Sequence, residues 1–163
     1  MANLNKDSSM HLPITKPYIT QRELELVGES LNSGWLVQGP KVTEFEQHIA
    51  SFTGANHAIA VNSCTSGQML LSHILGLQPG DQVIVPAFTW ISTAHSVENM
   101  GAQPVFCDVS LDTFNIDVKQ MEKKIGSATR ALYPVSLFGL TADMPAVMKV
   151  ARQHNLRVVE DVA

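Results

Sequence analysis

Apolar residues fall in two rhythms along this chain. Between residues 24 and 52 they recur every three or four positions, as Leu24, Val27 and Leu31 and then as Val42, Phe45, Ile49 and Phe52. That spacing lines one face of each of two helices. From residue 58 onward, short continuous apolar runs alternate with periodic ones. The runs at 58–61, 82–85, 104–107, 131–135 and 157–160 predict strands buried on both faces. Helical segments lie between them. One carries Met69, Leu70, Leu71, Ile74 and Leu75. A loop and then a helix cover 88–100, Val118, Met121 and Ile125 mark a short helix, and another runs from Asp143 to near Asn155.

Punctuation sharpens these bounds. Thr20 and Glu23 stand at capping-box spacing before the first helix, and Ser33-Gly34 ends it. Pro40 suits the first turn of the second helix, and Gly54 closes it. Pro79-Gly80-Asp81 is a turn, Gly101 ends a helix, and Asp117 and Asp143 are N-cap residues. Pro13 and Pro17 keep 12–18 out of a helix, so 1–19 reads as an N-terminal arm. Apolar strands alternating with helices predict an α/β fold, with a mostly parallel sheet covered by helices on both faces. In such a sheet the ligand site lies beyond the carboxyl ends of the strands. No helix follows the last strand, so the sequence reads as a domain incomplete at its C-terminus.

Composition narrows the function classes. The chain has 163 residues, 45% of them apolar, which suffices for a domain with a core. The net charge is −4 and there is no basic run, so nothing points to nucleic acid or to an anionic membrane. Lys119, Lys123 and Lys124 read as the wet face of a helix. No apolar segment is long enough to span a bilayer, and residues 1–10 lack a signal-peptide core. Cys64 and Cys107 form neither a CxxC pair nor a metal spacing, and a cytoplasmic setting fits them. Six scattered histidines predict no metal site.

The polar residues at the strand ends are the chemical candidates. The loop Asn62-Ser63-Cys64-Thr65-Ser66 opens a helix, where N–H groups without intrahelical partners favour an anion. Thr65 and Ser66 either bind a phosphate there or cap the helix. Neither a P-loop nor GxGxxG is present. Trp90, just past a strand, is either a plate for a flat cofactor or a core aromatic. Asp161 closes a buried strand, where a carboxylate needs a partner; a protonated ring nitrogen, an N-cap and a salt bridge all qualify. Glu160 faces the other way and reads as structural. Cys64 reads as a small buried residue, and His73 as a core residue. Phosphate cradle, aromatic plate and carboxylate at the ends of one sheet together fit a flat, phosphorylated pyridine: pyridoxal 5'-phosphate.

Several segments then carry a resemblance. They are Ser33-Gly34-Trp35-Leu36, Gly39-Pro40-Lys41-Val42 with Glu44-Phe45, the loop Asn62-Ser63-Cys64-Thr65-Ser66, and Pro86-Ala87-Phe88-Thr89-Trp90-Ile91-Ser92-Thr93. Gly101-Ala102-Gln103-Pro104-Val105 with Asp108 and Val158-Val159-Glu160-Asp161 complete the set. In order and spacing they resemble the DegT/DnrJ/EryC1/StrS family of pyridoxal-phosphate sugar aminotransferases. The resemblance implies the large domain of the type I transferase fold, a three-layer α/β/α sandwich. Residues 20–163 would be the N-terminal part of that domain, with its remainder and a small C-terminal domain lying beyond. Thr65 and Ser66 would hold the cofactor phosphate, Trp90 would stack on the ring, and Asp161 would pair with the ring N–H⁺.

The same resemblance implies an enzyme that moves an amino group from glutamate or glutamine to a nucleotide-linked keto-sugar. The setting would be cell-surface polysaccharide or amino-sugar biosynthesis, and the assembly a homodimer. The family's Schiff-base lysine would lie beyond Ala163, leaving no catalytic residue in this chain and the chain alone inactive. Val162 stands where an alanine is usual. A sugar dehydratase of the same family, with a histidine in place of the lysine, and a non-catalytic binding or regulatory protein are the alternatives.

Overall fold

A computed structural model describes Pro13 and residues 15–162. The first twelve positions of the expected arm lie outside the described residues. The chain divides into two compact units, Met1–Ala60 and Val61–Ala163.

The first unit holds two helices, α1 (Gln21–Ser33) and α2 (Pro40–Thr53). Their ends follow the local chemistry. Thr20 caps α1 by accepting from the Arg22 N–H at 3.2 Å, and the Glu23 carboxylate reaches back to the Thr20 N–H at 2.6 Å. Hydrogen bonds from Thr20 hold the Glu23 carboxyl below its ordinary pKa. Gly34 closes α1 at φ 70° and Gly54 closes α2 at φ 72°, a left-handed geometry that favours glycine. Between the helices the Trp35 indole donates to the Gln38 carbonyl at 3.1 Å. A Cβ on Gly39 would run into the Trp35 indole, so a larger residue there would have to displace the ring. The expected apolar stripes are present, yet neither helix buries a residue among the described ones.

The expected strand at 58–61 does not form. Ile59 is 72% exposed, and no ladder includes these residues. A strand needs a neighbour for its N–H and C=O groups. No described segment offers one here, and the Ala60 N–H goes to the Glu46 carboxylate at 2.8 Å.

The second unit is built on four parallel strands. These are β1 (Gln82–Pro86), β2 (Gln103–Cys107), β3 (Thr129–Leu132) and β4 (Arg157–Val158), in the order β2-β1-β3-β4. The helices are α3 (Cys64–Ile74), α4 (Ser92–Glu98), α5 (Val118–Lys123) and α6 (Met144–Gln153). Side chains along the strands alternate between two cores. Val83, Val85, Ala131 and Tyr133 pack with Leu77, Val97 and Ala102. Ile84 and Leu132 pack with Met121, Val147, Val150 and Ala151. Residues of α4 thus cover one face and residues of α5 and α6 the other, while Ser72 of α3 hydrogen-bonds the Tyr133 hydroxyl at 2.8 Å. This is the three-layer arrangement that the apolar strands require.

The last two strands are shorter than the sequence predicts because Pro134 has no N–H to give the ladder. Pairing nevertheless continues past them. The Val159 N–H donates to Leu132 at 3.0 Å, the Asp161 N–H to Pro134 at 3.0 Å, and the Ser136 N–H to Asp161 at 2.8 Å. Asp161 therefore enters the sheet's hydrogen bonding directly after its last strand. The chain steps from β1 outward to β2 and then returns past β1 to β3. The connection reverses there, which opens a crevice at the carboxyl ends of β1 and β3.

The expected caps are in place as well. Asp117 accepts from the N–H groups of Lys119 at 2.9 Å and Gln120 at 3.1 Å, and Asp143 from Ala146 at 3.1 Å. Asp117→Ala should lower stability by about 1 kcal/mol through loss of the cap. Ile84→Ala, at a fully buried site shared with α5 and α6 residues, should lower it by roughly 2–5 kcal/mol. Urea midpoints at constant slope would check the order, and equal losses would contradict it.

Candidate functional site

The site is assembled around one carboxylate. Asp161 is only 6% exposed. Its main chain is pinned between Pro134 and Ser136, so the side chain leaves the sheet at a fixed point beyond β4. Three donors from two helices converge on it. The Gln68 amide Nε2 donates to Oδ2 at 2.5 Å, the Thr93 hydroxyl donates to Oδ2 at 3.3 Å, and the Cys64 thiol donates to Oδ1 at 3.5 Å. Cys64 and Gln68 stand four apart on α3, hence on one face of that helix. Thr93 lies in the first turn of α4.

The start of α3 is therefore brought against Asp161. Ser63 is its N-cap and accepts from the Ser66 N–H at 3.1 Å, and the two hydroxyls lie 3.0 Å apart. The Gly67 N–H is taken by the Ser63 carbonyl at 3.1 Å. Cys64 and Thr65 occupy the first turn, where helix geometry leaves N–H groups without intrahelical partners. The helix dipole adds partial positive charge at the same end. Thr65 and Ser66 thus stand in an anion-favouring turn one helical step from two of the donors to Asp161.

Trp90 sits in the loop from β1 into α4 and is 76% exposed. Its carbonyl accepts from the Thr93 N–H at 3.1 Å. The same Thr93 binds Asp161, so the residue carrying the indole is tied to the carboxylate through one threonine. The core-aromatic alternative for Trp90 falls with its exposure. Glu160, on the other side of the strand, accepts from the Ser136 hydroxyl at 2.7 Å, and that hydroxyl accepts from the Ala142 N–H at 3.1 Å. It fastens a loop, as its alternation implies.

Two expectations fail at single residues. Cys64 is exposed, because its place at the helix start turns the thiol to the site edge and not into a core. Partial loss of hydration raises its thiol pKa, and the Asp161 charge raises it further. His73 is also exposed, since α3 buries Gln68 and Ser72. Gln68 and Thr93 escaped the sequence reading. The signal for Gln68 was a lone amide in an otherwise apolar helical run, four residues after Cys64.

A second group of residues lies at the same edge of the sheet. Phe88, Phe114 and Phe138 come from the loops after β1, β2 and β3, with ring centroids 5.6, 6.2 and 6.4 Å apart. Phe114 and Phe138 adopt φ of 59° and 54°, uncommon for bulky residues. Asn115 braces the two loops: its Oδ1 accepts from the Leu137 N–H at 3.0 Å and its Nδ2 donates to the Leu140 carbonyl at 2.9 Å.

Residues 17–163 match the DegT/DnrJ/EryC1/StrS aminotransferase family. The chain belongs to that family. Spore coat polysaccharide biosynthesis protein SpsC of Bacillus subtilis is 45% identical over 152 residues, which cover 93% of this chain and 39% of SpsC. UDP-4-amino-4-deoxy-L-arabinose–oxoglutarate aminotransferase of Shewanella sediminis is 38% identical over 96% of this chain and 40% of its own length. This member of the DegT/DnrJ/EryC1/StrS family thus spans about two fifths of the curated relatives it matches. Among solved structures, DesV of S. venezuelae superposes with a TM-score of 0.81 at 38% identity, over 86% of this chain and 39% of DesV. The putative sugar aminotransferase Spr1654 of Streptococcus pneumoniae, in its PLP form, gives 0.86 at 30% identity, over 93% of this chain and 43% of its own. The fold is that of the type I PLP transferases, as the strand pattern and the resemblance led one to expect. No helix among the described residues is long and apolar enough to cross a membrane.

Cys64 reports on Asp161. Alkylation by iodoacetamide at pH 8 should be slower than that of a simple thiol, because the thiolate is the nucleophile and its formation is opposed here. Asp161→Asn removes the charge and should speed the reaction by about threefold or more. The thiol of Cys107, buried and pushed up to about 11, should stay silent. Mass spectrometry of the labelled peptide would follow both, and an unchanged rate in the variant would contradict the contact.

Proposed function

We propose that this chain forms the cofactor seat of a PLP-dependent sugar aminotransferase. The observation that carries the reading is the Asp161 carboxylate, buried beyond a parallel sheet and held by donors from two helices, with the open first turn of one of them beside it. These residues suit the group chemically. A protonated pyridine nitrogen asks for a fixed carboxylate, and a phosphate dianion asks for a helix start with hydroxyls.

Pyridoxal 5'-phosphate, when bound, supplies an electron sink for the carbon that exchanges its amino group. The chain's own residues do the rest of what falls to this seat. Thr65 and Ser66 bind the phosphate through hydroxyls and first-turn N–H groups. Trp90 would supply the apolar plate for the ring and exclude water from that face. Asp161 holds the proton on the ring nitrogen, and its helix-borne donors keep it oriented.

The same reading extends to the whole protein. The substrate is a nucleotide-linked keto-sugar and the amino donor is glutamate or glutamine, in polysaccharide or amino-sugar biosynthesis. The relatives support it, since one is named for spore coat polysaccharide and another for a UDP-linked amino-sugar with an oxoglutarate partner. Residues 20–163 form part of the large domain, behind an N-terminal arm. The protein works as a homodimer in the cytoplasm.

Titration with pyridoxal phosphate, followed by absorbance, tests the seat. Thr65→Ala and Ser66→Ala should each weaken binding by about 10–100-fold, since each removes a bond to a charged group. Asp161→Ala in the whole protein should abolish transamination from glutamate while the fold is retained. Failure of the unaltered protein to bind the cofactor would sink the reading.

A further inference from the structure

We propose that Gln68 is a positioning residue that sets the span between the helix start holding Thr65 and Ser66 and the Asp161 carboxylate. The inference rests on the cofactor reading for what lies between those two points, but the contact itself does not depend on it. Gln68 is 4% exposed, and its Nε2 donates to Asp161 Oδ2 at 2.5 Å. Its other amide atom, Oε1, is the one buried side-chain polar atom without a hydrogen-bond partner among the described residues.

These two facts belong together. A primary amide carries its donor and acceptor on opposite sides. Turned over, it would set Oε1 against the carboxylate, acceptor against acceptor. The charge of Asp161 therefore fixes which end faces it and strands the oxygen in a buried place. An unsatisfied buried acceptor is unfavourable. Leucine would fill the position without that penalty, since Leu71 and Val159 line the same cleft of about 370 Å³. A buried amide that gives its donor to the central carboxylate and leaves its own acceptor stranded is the mark of a functional constraint.

The geometry says what the constraint is. Gln68 stands in the turn after Thr65 and Ser66 on one rigid helix. Its bond to Oδ2 fixes the carboxylate relative to that helix, and the Thr93 hydroxyl at 3.3 Å on the same oxygen fixes it relative to α4. Two donors on one oxygen restrict rotation of the carboxylate. A rigid ligand with an anionic group at one end and a ring N–H at the other needs that span held to a fraction of an ångström.

Gln68→Leu tests this with three measurements. The unliganded variant should unfold at a lower urea concentration than the parent, because the Asp161 charge loses a donor and this outweighs removal of the stranded acceptor. Its dissociation constant for pyridoxal phosphate should rise about tenfold. Cys64 alkylation should slow by about threefold, because Asp161 loses one donor and leans more on the thiol. A residue that merely packs would lose stability while affinity and the alkylation rate stay unchanged, and that result would overturn the proposal. Unchanged affinity would overturn it as well. If the parent protein binds no pyridoxal phosphate, the cofactor reading fails by itself. Alkylation then decides for Gln68: a slowed rate supports the positioning, and an unchanged rate overturns it.

Discussion

A carboxylate taken out of water must be given hydrogen-bond donors, and Asp161 receives them from parts of the chain that nothing else obliges to meet. The sheet delivers its backbone to one spot, through bonds to Pro134 and Ser136. The helices α3 and α4 then have to present Gln68, Cys64 and Thr93 to that spot. An unpaired buried charge would cost several kcal/mol, on the order of the net stability of a small domain. Satisfying Asp161 is therefore a condition on the fold, and the open turn of α3 reaches its place as a result. Chemistry and stability pull in the same direction at Asp161, and at Gln68 they divide between a donor that serves the carboxylate and an oxygen left stranded.

Local signals were the legible part of the fold. The capping box at Thr20, the caps at Asp117 and Asp143, and the glycines at 34 and 54 act within a few residues, so the sequence states them outright. The apolar strands were equally plain, because a strand covered on both faces has no polar positions to confuse its reading. The run at 58–61 had the same composition and formed no ladder, since a strand is a property of a pair and composition describes only one member. Pro134 shortened the formal end of β3 by withholding a donor, while pairing carried on beyond it.

The site was legible in its outline and not in its bonding. Trp90 and Asp161 sit just past strands, where an α/β sheet concentrates function, and Thr65 and Ser66 lie in the first turn of α3 beside them. Gln68 and Thr93 could not be found that way, because their meaning comes from an atom more than sixty residues distant. Cys64 and His73 were misread for a related reason. Residue type suggests burial, but on α3 the buried face is marked by Gln68 and Ser72, both polar and both answered by tertiary partners. In this family member the polar face of a helix points inward.

The described side-chain donors to Asp161 lie 97, 93 and 68 residues before it. A ribosome adding roughly 5–20 residues per second releases Cys64 several seconds before Asp161 exists. Through that interval the thiol belongs to a helix with no carboxylate beside it and titrates nearer an ordinary cysteine, where oxidants find it more easily. These donors are engaged only once the end of β4 has docked. The nascent chain thus passes through a window of chemical vulnerability that the docking of β4 shuts.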